Sequence, residues 1–230
     1  MIIALNNKCN LNKNEFIDYQ KQLNNIDTNH HIIVCPTYLN INLYDAKHDL
    51  GAQNVSCNNE GAYTGEISAS DLKTSNVKYC IVGHSERREY QRESLEEINE
   101  KLKRLEENNI TPILCVGESK EERDNNEFKE IIKKELETAI EGLNNVDSII
   151  VAYEPIWSIG TGIIPTNEQI EEVFNFIKTI LPNNKILYGG SANDNNIDTL
   201  KQIELIDGYL LGGLSLKPDK LQTFIEKLDK

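Results

Sequence analysis

The stretch Ile149-Ile-Val-Ala-Tyr-Glu-Pro-Ile-Trp-Ser-Ile-Gly-Thr-Gly162 decides how the rest of the chain is read. Its apolar run, Ile149 to Ala152 followed by Tyr153, has the composition of a parallel-sheet strand covered on both faces. Glu154 arrives where that strand should end. A carboxylate there is either a solvated strand terminus or a base held at the mouth of a barrel, where strand C-termini and the loops after them converge. The loop that follows favours the second reading. Pro155 fixes φ at the strand exit, Trp157 can anchor a hinge, and Gly160 and Gly162 free the backbone to move or to approach a ligand closely. An acid on a rigid strand followed by such a loop is the build of a lidded site.

Outward from this strand the same unit repeats. Apolar runs near 2–7, 31–35, 51–55, 79–83, 111–116, 148–153, 185–189 and 206–211 alternate with amphipathic or charged stretches near 13–24, 40–48, 69–75, 94–108, 120–142, 167–181, 193–203 and 217–228. The alternation predicts a parallel sheet with crossover helices. Asn12, Ser94 and Thr166 are predicted helix caps, and Pro218 stands in the first turn of the last helix. Eight such units without a linker predict a single domain over residues 1–230, an α/β chain closed as a (β/α)8 barrel. A doubly wound sheet would need an early GxGxxG, which the chain lacks. The charged stretch 120–142 reads as one helix with a solvated outer face and i,i+4 pairs.

Charge and cysteine usage narrow the function. With 24 Lys and Arg against 37 Asp and Glu, the formal net charge is −13, which argues against nucleic acid or anionic membranes as partners. An anionic substrate must find a local positive site. No apolar run approaches 18 residues and no charged start precedes a short apolar segment, so a membrane span and a signal peptide are not expected, and the expected location is cytoplasmic. Cys9, Cys35, Cys57, Cys80 and Cys115 are odd in number and mostly sit inside apolar words, which predicts reduced, buried thiols. No CxxC, HExxH or paired-His spacing occurs, so a metal site is not expected.

The remaining chemistry collects at predicted strand ends. Asn6 and Lys8 are two apart at the end of the first strand and project to one side of an extended chain. His84 follows the fourth strand beside Ser85 and Glu86, which can open a short helix. A helix N-terminus disfavours positive charge on an adjacent imidazole, so the ring is expected to be neutral. Arg87 and Arg88 read as surface or interface ion pairs. Cys115, inside the fifth strand, reads as a packed residue beside the site. Tyr188-Gly-Gly-Ser191 and Leu210-Leu-Gly-Gly213 end the seventh and eighth strands, either as two tight turns or as a place where backbone N–H groups approach an anion.

Taken together, AYEPIWSIGTG (152–162), CIVGHSERRE (80–89), LGAQNV and GAYTGEIS (50–55 and 61–68), ILCVGES (113–119), YGGS (188–191), LLGGLSLKP (210–218) and Asn6-x-Lys8 resemble the triosephosphate isomerase family, in its order and across the whole chain. The resemblance implies an isomerase of triose phosphates working through an enediolate without cofactor or metal, in glycolysis and gluconeogenesis. It implies Glu154 as base, His84 as proton shuttle, and Lys8 and Asn6 as stabilisers of charge. The pairing of a Glu base with a neutral His at a helix start is the standard illustration of that family's chemistry, applied here by resemblance. It implies phosphate donors at Gly160, Ser191, Gly212 and Gly213, a Glu86 that orders Lys8, and a lid from Pro155 to Thr166 in which Ile159, with Leu210, closes over Glu154 to exclude water. It also implies a homodimer in which the loop around Thr64 docks into a partner, with Gln53 and Asn54 as receiving groups. Two departures stand out. Asn7 replaces a usual aromatic or large apolar residue, and Ile163-Ile164-Pro165 replaces the usual hinge. The rival expectations are a barrel isomerase of larger sugar phosphates, which needs no short lid, and a barrel kept only for binding, which need not keep Asn6, Lys8, His84 and Glu154 together.

Overall fold

The computed structural model describes residues 1–158 and 164–230. The parallel strands β1 (Ile2–Asn6), β2 (His31–Cys35), β3 (Asp49–Ala52), β4 (Tyr79–Val82), β5 (Thr111–Val116), β6 (Ile150–Tyr153), β7 (Ile186–Tyr188) and β8 (Gly208–Leu211) close into a barrel in sequence order. Closure is made by β1 against β8, with Ile2 opposite Gly208 and Leu5 opposite Leu211. Alternation along each strand sorts the core into two parts. Ala4, Ile33, Ile81, Ile113, Ala152 and Leu187 fill the barrel, while Ile3, Leu5, Val34, Val82, Leu114 and Val151 face the helices. Both faces are therefore apolar, as the continuous hydrophobic runs require.

Around the barrel lie α1 (Lys13–Leu23), α2 (Tyr38–Ile41), α3 (Ala69–Thr74), α4 (Ser85–Gln91), α5 (Leu95–Asn108), α6 (Lys120–Asp124), α7 (Phe128–Ile140), α8 (Asn167–Ile180), α9 (Ile197–Leu200) and α10 (Pro218–Leu228). Asn12, Ser94 and Thr166 cap α1, α5 and α8, and in each case the Glu or Gln three residues on bonds back to the cap, so two end N–H groups are satisfied together. Pro218 opens α10.

Three expected helices come out differently. The stretch 120–142 is broken into α6 and α7, because Asn126 turns left-handed at φ 61° and ends the ladder between them. Glu135 on α7 is buried, so that helix is not the solvated face its charge suggested. Of 40–48, only Asn40 and Ile41 are helical, as the end of α2. Beyond it the backbone N–H groups of Asp45 and Lys47 bond to the side chains of Gln20 and Asn24 on α1 and at its end, and these tertiary partners replace helical ones. Of 193–203, only Ile197–Leu200 is helical. The third strand runs from Asp49 to Ala52 and stops short of Val55. Among the described residues no helix is long and apolar enough to cross a membrane.

Candidate active site

His84 owes its place to the turn before it. Gly83 has φ 71°, a conformation that disfavours side chains, and a Cβ there would meet Ile98 Cδ1 at 2.9 Å. His84 then caps α4, its Nδ1 accepting the Glu86 N–H at 3.2 Å. With Nδ1 an acceptor, the proton of the neutral ring sits on Nε2. That nitrogen is 3.0 Å from Glu154 Oε1.

Glu154 is 1% exposed. Its N–H donates to Val116 O at 2.8 Å, and Gly117 runs so close that a Cβ there would lie 1.8 Å from Glu154 O. The second carboxylate oxygen, Oε2, accepts the Ser85 N–H at 3.0 Å. Cys115, opposite Ala152 in the ladder, is buried beside this carboxylate. Burial pushes its thiol well up, and the negative charge of Glu154 pushes it further. The thiol stays protonated and packs; it is not a nucleophile.

Asn6 and Lys8 reach the same cavity, though not as an extended pair. The strand ends at Asn6 and Lys8 turns left-handed at φ 51°. The turn is held by the Lys8 N–H on Asn6 Oδ1 at 3.0 Å and by Gln53 Nε2 on Lys8 O at 2.9 Å. Lys8 Nζ lies 2.6 Å from Glu86 Oε1. Asn7, in place of the large apolar residue, is buried and donates from Nδ2 to Tyr19 Oη at 3.4 Å and Ser215 Oγ at 3.3 Å. Ser215 passes its own proton to Asn6 O at 2.9 Å, which fastens the exit of β1 to the turn after β8.

The rim after β7 and β8 is open by comparison. Among the described residues the N–H groups of Ser191, Gly212 and Gly213 have no acceptor. Ser191 Oγ donates to Ser158 O at 2.9 Å, tying this rim to the exit of β6. A Cβ on Gly212 would meet Lys8 Cε at 3.0 Å, so the lysine stem lies across the glycine turn. Asn6, Lys8, His84 and Glu154 line one cavity of about 370 Å³ together with Ser191, Leu210, Gly212 and Gly213. Gly160 and Ile159 lie outside the described residues, as does Ile163 of the departing hinge. Among the described residues no three His, Cys, Asp or Glu side chains group to hold a metal ion.

Several residues around the site gave little or no sign in the sequence. Glu118 is fully buried, and its Oε1 accepts from Tyr153 Oη and Trp157 Nε1, both at 3.0 Å. Burial pushes its carboxyl up, with the Trp157 bond opposing. This is what Trp157 anchors to beyond Pro155. Ser85 acts through its N–H. Arg88, expected at the surface, is mostly buried and paired with Glu135. Arg87 pairs with Glu93 at 2.9 Å. Every residue of the loop 61–66, Thr64 included, is exposed. Both residues expected to receive it are engaged within the chain: Gln53 also bonds Cys35 O at 2.9 Å, and buried Asn54 accepts from Lys101 at 2.8 Å.

The sequence pattern of a family described as Triosephosphate isomerase matches residues 1–228. A protein of Mycoplasmopsis pulmonis named Triosephosphate isomerase is 44% identical, across 84% of this chain and 80% of its own. Proteins of the same name from Clostridium botulinum and Dictyoglomus thermophilum are 37% and 41% identical. The first alignment covers 97% of this chain and 98% of the relative, the second 85% of each.

Proposed function

The chain belongs to the triosephosphate isomerase family, and from that premise we propose that Glu154, His84, Lys8 and Asn6 interconvert dihydroxyacetone phosphate and D-glyceraldehyde 3-phosphate at this barrel mouth. The reaction is an intramolecular aldose–ketose isomerisation, the glycolytic step that the family carries out. The observation that supports the assignment most is that an acid, an imidazole, an ammonium and three backbone donors without an acceptor among the described residues share one cavity of about 370 Å³.

The phosphate sits on the N–H groups of Ser191, Gly212 and Gly213, with Gly160 as a further donor from the lid. Backbone donors suit it because each offers an N–H with no side chain in the way. The substrate carbonyl oxygen competes for the His84 Nε2–H that now points at Glu154 Oε1, and in taking it frees the carboxylate. Glu154 then removes a proton from the carbon next to the carbonyl. The C–H electron pair becomes the carbon–carbon double bond of the enediolate, and the carbonyl pair moves onto oxygen. Lys8 and the Asn6 amide face that oxygen, and each well-placed donor of this kind is worth on the order of 10² to 10³ in rate. His84 gives its Nε2 proton to one oxygen and recovers a proton from the other, while Glu154 returns its proton to the neighbouring carbon. Every group ends as it began. A lid running from Pro155 to Thr166 keeps water from the intermediate, its first hinge fixed by Trp157 on Glu118.

Residues 1–230 work as one domain, and as a homodimer through the loop around Thr64. Exposed Tyr63, on that loop itself, is an apolar group such a contact would cover. A cytoplasmic place of work is supported by five unpaired cysteines, of which Cys35, Cys80 and Cys115 are buried. The test is a coupled assay of the purified protein with glyceraldehyde 3-phosphate, with inorganic phosphate as competitor. Turnover inhibited competitively is expected. A folded protein with no turnover would remove the reading.

A further inference from the structure

The distance between His84 and Glu154 depends on where α4 sits against the exits of β5 and β6, and α4 has little of its own to hold it there. Its sequence, Ser85-Glu-Arg-Arg-Glu-Tyr-Gln91, carries no aliphatic residue, and Ser85 is its single buried residue. A helix without an apolar stripe cannot be seated by hydrophobic burial. It must be held by polar ties.

One such tie runs to α7. That helix buries Phe128, Ile132, Leu136 and Ala139, and on the same face it buries one acid, Glu135, at 8% exposure. Glu135 Oε1 accepts from Arg88 Nη1, one turn along α4 from His84. Glu135 Oε2 accepts the Gly117 N–H at 2.9 Å. Gly117 stands between the two residues on which the base is hung, since Val116 O accepts from the Glu154 N–H at 2.8 Å and Glu118 O accepts from the Ile156 N–H at 3.1 Å. One carboxylate therefore grips the helix of the imidazole with one oxygen and the support of the base with the other.

We propose that Glu135 is a positioning residue for the acid–base pair, a two-point clamp that fixes the His84 helix against the strand exit carrying Glu154. This inference rests on the functional reading above. A carboxylate suits the task because it offers two acceptor oxygens at a fixed separation together with the charge that Arg88 requires. Among the described residues Arg88 Nε and Nη2 have no partner, so Glu135 is the group that neutralises it. Burial pushes the Glu135 carboxyl up and Arg88 pulls it back.

The bland alternative is a buried ion pair that serves folding alone. The two separate on replacing both partners with apolar residues of similar volume, which commonly leaves stability unchanged or improved. The Arg88→Met, Glu135→Leu double variant of the full chain is expected to melt near the parent temperature while kcat falls about 10- to 100-fold, the size of effect that ångström-scale misplacement produces. KM for glyceraldehyde 3-phosphate and the inhibition constant of inorganic phosphate should stay within about twofold, since the phosphate donors lie on the other side of the mouth. Glu135→Gln, which keeps the shape and one acceptor, should fold even if the double variant does not, and should lose kcat with the same unchanged phosphate affinity. A folded variant of either kind with parental kcat, or with kcat and phosphate affinity lost together, would overturn the clamp. A parent protein without isomerase activity would instead overturn the functional reading, before any variant is made.

Discussion

The two halves of the barrel mouth are built by opposite means. On the side of β4, β5 and β6 three carboxylates, Glu118, Glu135 and Glu154, are buried, and each meets two donors. The backbone there is so tight that Gly117 has no room for a methyl group. On the side of β7 and β8 the N–H groups of Ser191, Gly212 and Gly213 have no acceptor among the described residues, and a Cβ on Gly213 would touch nothing within 4 Å. Proton transfer needs donor and acceptor held to a hydrogen-bond length, whereas an anion needs donors that nothing else has claimed. Rigidity is concentrated in one half and vacancy in the other. Lys8 bridges them, its stem over Gly212 and its ammonium on Glu86.

The sharpest way to break this contrast is Glu154→Ala. It should lower kcat by about 10² to 10⁴, the usual contribution of a general base, while inorganic phosphate still competes with parental affinity. Equal loss of both would mean that the two halves are one interdependent unit. A pair of methyl groups probes the same contrast more gently. Gly117→Ala pushes a Cβ into Glu154 O, so it should cost about 1–3 kcal/mol of stability and at least tenfold in kcat. Gly213→Ala should leave the melting temperature within about 1 °C and raise KM a few-fold with kcat kept, since the new methyl sits on an open rim. Thermal melts beside steady-state kinetics would decide it, and a reversed order of the two variants would end the distinction.

The same division explains what could be read before any coordinates. The barrel followed from strands apolar on both faces, because burial on both sides leaves a continuous run such as Ile149 to Tyr153. The rim followed from glycine pairs at strand ends. Glu154 and His84 stood out because a polar residue directly after an apolar strand has few places to be. Glu135 could not be found this way. It sits among Lys133, Lys134 and Glu137, and nothing in that run tells a buried acid from a solvated one, since its partner Arg88 is 47 residues away. Lys8 lines the cavity, but from a left-handed turn and not from an extended strand end, because a left-handed lysine leaves no signal that an extended one would lack. The helix at 193–203 shortened where the side chains of Asn193 and Asn196 take local backbone N–H groups, and the one at 40–48 where Gln20 and Asn24 of another segment do so, which no local pattern announces.

The homodimer proposed through the loop at 61–66 offers a further test, since the rigid half depends on contacts within the chain and that loop depends on none of them. Thr64→Glu should weaken dimerisation on the order of 10²-fold or more, because a carboxylate would be dehydrated without a partner. Sizing chromatography should show a smaller species whose activity falls with it. Dimers that persist unchanged would place the interface elsewhere.

The smallest effect is expected at the other end of the barrel, where strands begin and no chemistry is done. Asp49, at the start of β3, meets His31 Nε2 at 2.8 Å and Lys78 Nζ at 2.5 Å. Its partial burial raises its pKa, but the bonds and charges of Lys78 and His31 outweigh this, and the carboxyl lies below the ordinary value. A depressed carboxyl stabilises the fold fully above its unfolded pKa of about 3.9. The contribution fades as the pH falls through that value and then through the lower one of the folded protein. Solvent reaches the pair, so Asp49→Asn should lower the melting temperature by only about 1–2 °C at pH 7 and leave it unchanged once the pH has fallen below the lowered pKa of the folded carboxyl, where parent and variant are both uncharged at this position. Activity should not move, because the tie lies at the opposite end of the strands from Glu154. A deficit that survives in acid would assign the effect to packing, and a loss of kcat would mean that the two ends of the barrel are mechanically joined.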